Sequence, residues 1–196
     1  MKHFGANIAR VWEGLRPTTR HLVERALTTP RGAAQSYDTR ADGELSRLLD
    51  ALDQRLARQP LNAPQTQQLQ QLADACAVLL QDQTRSAEVF AQLVIRAQRR
   101  YDFARLDALG GALAARFAAR EICEVARHPH AAARALGLEA LIHRPAATLA
   151  NLLADPGDAA LARYALERQA LDYNSEEAYE ILYFLDDDDG ESGVGE

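Results

Sequence analysis

Lysine is almost missing from this chain: Lys2 stands alone against 21 arginines. An arginine cluster is therefore not in itself a phosphate site, because arginine is the basic residue this sequence uses throughout. Together with the abundant alanine, the bias points to a GC-rich, bacterial genome. Aromatic residues make up only 6%, so the apolar surface is mostly Ala and Leu, the strongest intrinsic helix formers. β-branched residues are also few, which excludes a sheet-based fold. Two cysteines, Cys76 and Cys123, lie inside apolar helical patterns and form no close pair. That excludes a disulfide scaffold and leaves buried thiols of a reducing compartment. No stretch approaches the ~18 apolar residues of a membrane span, and the N-terminal MKHFGANIARVW lacks the apolar core of a secretory signal. GxSxG, HExxH, Walker and dinucleotide-binding motifs do not occur. The expectation is a soluble, cytoplasmic, all-α protein with no membrane partner, catalytic residue, metal or cofactor.

What is present is helical periodicity along nearly the whole chain. Ile8, Val11, Trp12 and Leu15 recur at i, i+3, i+4 and i+7, predicting one or two short helices over 4–27, with Trp12 as a core or cap anchor. Residues 28–42 have no period and many turn formers, and read as a long mobile loop. A helix from about 42 to 59 follows, with Leu45, Leu48, Leu49, Leu52 and Leu56 on one face. The next, about 65–82, carries Leu69, Leu72, Ala73, Cys76, Leu79 and Leu80, with a flank of Gln65, Gln67, Gln68, Gln70 and Gln71 that reads as solvated. Ser86 and Glu88 open another helix.

From about residue 85 the pattern repeats. Phe103-Ala104-Arg105, Ala132-Ala133-Arg134 and Leu161-Ala162-Arg163 are spaced 29 residues apart. Outer helices share an i, i+3, i+4 stripe: Ile122, Val125, Ala126; then Leu149, Leu152, Leu153; then Ile181, Phe184, Leu185. In the preceding unit Arg96 interrupts that stripe. Inner helices are expected over about 102–113, 130–142 and 158–171, with turns at His128-Pro129, Arg144-Pro145 and Asp155-Pro156, where proline tolerates a first helical turn. The pair Gly110-Gly111 either ends an inner helix early or allows close helix approach. One helix pair cannot bury its apolar face alone, so such units must stack, with atypical units at the ends.

The segments HPHAAARALGLEAL (128–141) and DPGDAALARYALERQAL (155–171) resemble the HEAT-like repeat family, including the bacterial short form related to phycobilisome-lyase repeats. Asp155, Pro156 and Arg163 match the family pattern of a turn Asp-Pro followed by an inner-helix arginine. Pro129 and Arg134 match it too, although His128 replaces the turn acid. Arg105 matches, while Arg99-Arg100 departs from the turn. The resemblance implies a short right-handed α-solenoid of antiparallel helix pairs. It divides the chain into degenerate N-terminal helices over 1–84, repeats over 85–185, and an acidic tail over 186–196. It also implies that Arg105, Arg134 and Arg163 tie the turn acids of neighbouring units.

Two other uses of those arginines stay open. A guanidinium row on a concave face suits carboxylates or phosphates. With Arg99 and Arg100 it is a candidate partner-binding surface for another protein or, alternatively, for nucleic acid. Charge is uneven: net +4 over 85–144 and net −11 over 145–196. Asp186, Asp187, Asp188 and Asp189 oppose the dipole at a helix C-terminus and repel one another, predicting a helix stop near Leu185 and a disordered tail. That tail can solubilise, fold back on the Arg-rich middle, or engage a basic partner. Cys123, Glu124, His128 and His130 are close in sequence but are not expected to converge as metal ligands. The function expected is a non-catalytic protein–protein interaction module, an adaptor, scaffold or inhibitor. A nucleic-acid-binding protein with the tail as modulator is the alternative.

Overall fold

The computed structural model describes residues 4–28, 37–58 and 61–191, the last six of these as backbone only. Among the described residues the chain is all-helical, with eleven helices and no strand. None of the helices is long and apolar enough to cross a membrane. The chain forms two compact units, Met1–Leu93 and Val94–Glu196. The division falls inside α5 (Ala87–Arg99), not ahead of it near residue 85 as the repeat pattern suggested.

The first unit holds α1 (Ala6–Gly14), α2 (Pro17–Thr28), α3 (Arg40–Arg58) and α4 (Ala63–Gln83). α3 packs along α4, α2 rests on α4, and α1 rests on α3. The leucines spaced by helical turns make this core: Leu45, Leu48, Leu49 and Leu52 from α3 meet Leu69, Leu72, Ala73, Cys76 and Leu80 from α4. Burying a leucine contributes about 1.5–3 kcal/mol, so these stripes dominate the unit. Trp12 is only half-buried, while Ile8 and Leu15 are buried. Asn62 caps α4 by accepting from the Gln65 N–H at 2.9 Å, as its place ahead of Pro64 suggests. The loop expected over 28–42 is shorter at both ends, because Thr28 closes α2 and α3 begins at Arg40. Residues 29–36 lie outside the described residues.

A polar clasp closes this unit. Arg16 donates to Asp38 at 2.6 Å and to Glu44 at 2.9 Å. Buried Asp42 accepts from Tyr37 and, at 2.8 Å, from the Thr84 hydroxyl. Burial and the hydrogen bond to Asp42 push the Tyr37 phenol far above its ordinary range.

The second unit holds α6 (Phe103–Arg116), α7 (Ala119–Ala126), α8 (Ala131–Ile142), α9 (Ala146–Leu153), α10 (Ala159–Tyr173) and α11 (Glu176–Glu191). α6 packs on α8 and α8 on α10; α7 packs on α9 and α9 on α11. The two series meet where α7 packs on α8, α9 on α10 and α10 on α11. Leu109, Leu113, Ile122, Val125, Leu141, Leu149 and Leu166 fill the space between them. Arg96, which interrupts the apolar stripe of α5, is buried nonetheless. Gly110 and Gly111 do not end α6, which runs on to Arg116. Closest approach occurs instead at Gly137, where an added Cβ would lie 2.5 Å from the Ala126 nitrogen.

The last helix departs from expectation in two ways. Its backbone continues to Glu191, past the predicted stop near Leu185. Extending an existing helix requires no new nucleation, and an unfavourable dipole contact costs only about 0.3–1 kcal/mol at an exposed site. Residues 192–196 lie outside the described residues, as do the side chains of Asp186, Asp187, Asp188 and Asp189. Second, α11 does not bury its apolar stripe. Among its described side chains only Ala178 is buried; Ile181, Leu182 and Leu185 are half-buried, and Tyr179, Tyr183 and Phe184 are exposed. α11 packs on α9 and α10.

Candidate functional site

Three arginines were expected to tie neighbouring repeats; Arg105 and Arg134 contact groups near their own helix starts instead. Arg105 pairs with Asp102 at 3.8 Å, the residue that caps α6, and its Nη1 is buried without a partner. Arg134 donates to the carbonyls of His128 at 3.3 Å and Pro129 at 3.1 Å in the turn before its own helix. Arg163 pairs with Glu167 one turn along α10, at 3.2 Å.

The tie to a turn acid is made by other arginines. Asp158, whose side chain is 3% exposed, accepts from Arg127 at 2.6 Å and sits 3.4 Å from Arg120. Arg120 also pairs with Asp155. Asp155 in turn accepts from the Gly157 N–H at 3.0 Å, holding the turn closed. A buried carboxylate is tolerated only when paired and hydrogen-bonded, so this network fixes α7 to the start of α10. Cys123 lies beside it. Burial, then the negative charge of Asp158, pushes its thiol up to about 11, which disfavours the thiolate that a nucleophile or metal ligand requires. Among the described residues no group of three or more His, Cys, Asp or Glu side chains is placed to hold a metal ion.

Two further ties recur about one repeat apart. Gln169, buried, donates to the carbonyls of Ile142 at 2.6 Å and Arg144 at 2.5 Å. Arg144 itself donates to the Phe117 carbonyl. In both cases the carbonyls at or just past the end of one inner helix, which lack an intrahelical partner, are satisfied from the following repeat.

These contacts occupy Arg120, Arg127 and Arg144 structurally. The second unit also carries exposed aromatic side chains. In the second unit every aromatic residue except Phe117 is exposed: Tyr101, Phe103, Tyr164, Tyr173, Tyr179, Tyr183 and Phe184, with Leu171 among them. Tyr164, Leu171 and Tyr173 are on α10. Tyr179 and Tyr183 lie one turn apart on α11, and Tyr183 meets the Phe184 ring edge-on at 5.9 Å. Tyr173 does the same against His143, at 5.6 Å.

Arg99 ends α5, Arg100 follows it, and both are exposed. The helix closes with the Tyr101 N–H donating to the Gln98 carbonyl and the Asp102 N–H to the Ala97 carbonyl, both at 3.0 Å. This closure puts its central residue in the left-handed region, where glycine is the usual choice. Here that residue is Tyr101, with φ of 54°.

Comparison with protein-family models, with curated proteins and with solved structures gives no match.

Proposed function

We propose that this chain is a non-catalytic protein–protein interaction module, an adaptor, scaffold or inhibitor, acting in the cytoplasm. Its second unit reads as a short right-handed solenoid of antiparallel helix pairs, similar to HEAT-like repeats. The two packing series, α6–α8–α10 and α7–α9–α11, support that architecture. So do the carbonyl ties that repeat about one unit apart.

One observation carries the functional reading: the second unit places seven of its eight aromatic side chains in solvent. Tyrosine and phenylalanine are among the residues that dominate protein interfaces, through large area and few rotatable bonds. A unit whose core is Ala and Leu has no structural use for them outside. The surface of α10 and α11 is thus the primary contact face. Arg105, Arg134 and Arg163, with Arg99 and Arg100, are a second candidate surface for an acidic partner. The nucleic-acid alternative is weaker, because Arg120, Arg127 and Arg144 are engaged in holding repeats together.

A photo-crosslinking residue at position 164, 171 or 183, introduced in source cells, tests the reading. It should capture one defined protein, and the same residue at the exposed Gln67 of the first unit should not. Diffuse or absent adducts at all three positions would remove the reading. Arg134→Glu, assayed beside them, decides whether the arginine surface contributes.

A further inference from the structure

The outer half of α11 interleaves rings and carboxylates. At the helical period, its exposed side chains between 176 and 184 follow one another round the helix in the order Tyr179, Tyr183, Glu176, Glu180, Phe184, Glu177. Ala178 is buried on the opposite side, with Ile181, Leu182 and Leu185 half-buried beside it. The helix itself accounts for part of the exposed set. Carboxylates in a first turn suit the dipole, which covers Glu176 and Glu177. It does not cover Glu180, one turn beyond Glu176, where like charges four residues apart destabilise a helix. Nor does it cover three rings that are 61%, 64% and 68% exposed.

The cations on the surrounding elements are already engaged. Residues 174–191 contain no basic residue, and α9 contains no charged residue of either sign. On α10, Arg163 pairs with Glu167 and Arg168 with Asp172, each one turn along, so that helix is balanced. Between α8 and α9, His143 bonds to Glu139 and Arg144 donates to the Phe117 carbonyl. The aromatic strip therefore sits among Glu176, Glu177 and Glu180 with no opposing charge on its own helix.

Size and charge together define what fits. Three rings exposed to this extent offer roughly 400 Å² of apolar surface, at about 200 Å² for a whole aromatic side chain. That is about half of the ~800 Å² each folded partner gives to a standard interface, and it suits one short segment. A neutral or acidic cover would strip water from Glu176 and Glu180 without a counter-charge, which is costly. A basic cover supplies that charge, and arginine or lysine also seats well on a ring face. Since Glu176 and Glu180 are one turn apart, cations one turn apart on a facing helix reach both. We propose that α11 binds a short, basic, amphipathic helix of another protein. Its arginines or lysines meet Glu176 and Glu180, and its apolar side chains cover Tyr179, Tyr183 and Phe184. This assignment rests on the reading of α11 as a contact face and names the chemistry of its occupant.

Fluorescence anisotropy with the purified full-length chain tests it. The probe is a labelled peptide of about four helical turns, with leucines on one face and arginines four residues apart beside them. The wild type should bind it saturably, and the same peptide with glutamate for arginine should not bind. A shuffled peptide of the same composition, without the apolar stripe, should bind about tenfold more weakly. Glu176→Gln with Glu180→Gln, and separately Tyr179→Gln with Tyr183→Gln, should each weaken binding about tenfold or more. Both change exposed side chains and should keep the wild-type far-ultraviolet circular dichroism. Glu13→Gln with Glu24→Gln removes the same charge from exposed positions of the first unit and should leave the affinity unchanged. That separates docking on α11 from general attraction to a chain of net charge −6. Absence of saturable binding overturns the proposal. So do α11 variants that bind like the wild type, or a first-unit variant that loses as much as they do. Self-association that Tyr179→Gln with Tyr183→Gln abolishes, in a chain that ignores the peptide, assigns the face to a second copy and also overturns it. If the peptide fails while position 183 still crosslinks to one defined protein, the basic-helix assignment falls and the interaction-module reading stands. If position 183 captures nothing as well, both fall.

Discussion

Gly137→Ala is the sharpest test of how the second unit is packed. In an isolated helix the change would be favourable by about 1 kcal/mol, because alanine restricts the unfolded chain and has the highest helix propensity. Here the new methyl would lie 2.5 Å from the Ala126 nitrogen, 2.7 Å from its Cα and 2.9 Å from the Val125 carbonyl carbon. All three are backbone atoms of α7, so no side chain can rotate away. Restoring contacts of about 3.5 Å requires α7 and α8 to separate by roughly 1 Å. Overpacking of this kind costs about 1–3 kcal/mol and at times more. A rigid backbone obstacle puts the cost at the upper end, leaving a net loss of about 2 kcal/mol. At about 2–4 °C per kcal/mol for a chain of this size, the melting temperature should drop by about 4–8 °C. Gly111→Ala is the matched control: it is exposed, helical and has nothing within 4 Å of the new methyl. It should gain about 1 kcal/mol and melt higher. Thermal unfolding followed by far-ultraviolet circular dichroism reads both. If Gly137→Ala melts at or above the wild type, the close α7–α8 approach is wrong.

Other perturbations probe the polar ties. Arg127→Ala leaves Asp158 buried with a weaker partner and should cost about 2–3 kcal/mol in urea unfolding, whereas Arg134→Ala should stay within about 0.5 kcal/mol; equal effects would dissolve the distinction between them. The Cys123 thiol has its folded-state value raised from 9.0 to about 11. Its contribution is therefore complete below pH 9 and lost as pH rises through about 11. Stability should decline over that window in the wild type and decline less in Cys123→Ala, and iodoacetamide should leave the native thiol unmodified. At the other end, Asp38 is held below its ordinary 3.8, by the Arg40 backbone N–H and then by Arg16. Burial alone would raise Glu44, but the donors facing it, Arg16 among them, hold it below 4.5. Both contributions are present above those ordinary values and lost as pH falls through the folded ones, so Arg16→Ala should flatten the acid limb of the stability profile.

The helices were legible because burial imposes a period. Leu45, Leu48, Leu49 and Leu52 can share a core only on a helix, and the observed α3 begins and ends within two residues of the pattern. Contacts between helices leave no such trace. The 29-residue phase picked out Arg105, Arg134 and Arg163, which sit at like positions on their helices, but Arg105 and Arg134 bond to groups of their own turn. Arg127 and Asp158, which do span two repeats, are 31 residues apart and follow no phase. Gly137 had a usable signal, since an isolated glycine inside a helical pattern often marks close packing. It was obscured by the more conspicuous pair Gly110-Gly111, which the structure leaves unobstructed on one side and in ordinary contact with Leu136 on the other. The exposure of α11 was out of reach for a different reason. An apolar stripe states that a face needs cover; it does not state whether the chain itself supplies that cover.

That last point bears on where binding chemistry is located. An i, i+4 pair such as Tyr179 and Tyr183 on a covered helix would be core, and on α11 the same pair is exposed. Terminal repeats of a stacked array ordinarily present polar outer surfaces, because an apolar one would recruit whatever is nearby. Here α11 keeps its rings exposed, and four aspartates lie in its last turns. Charge of one sign beside an apolar patch repels like surfaces and admits only a positively charged one. Two α11 faces therefore repel each other, which disfavours a symmetric dimer through this helix. Selectivity for a basic, aromatic surface follows from the same arrangement, whether a second copy or another protein presents it. The arginines that the repeat pattern brought forward are of the opposite sign. Their use as a contact surface requires an acidic partner.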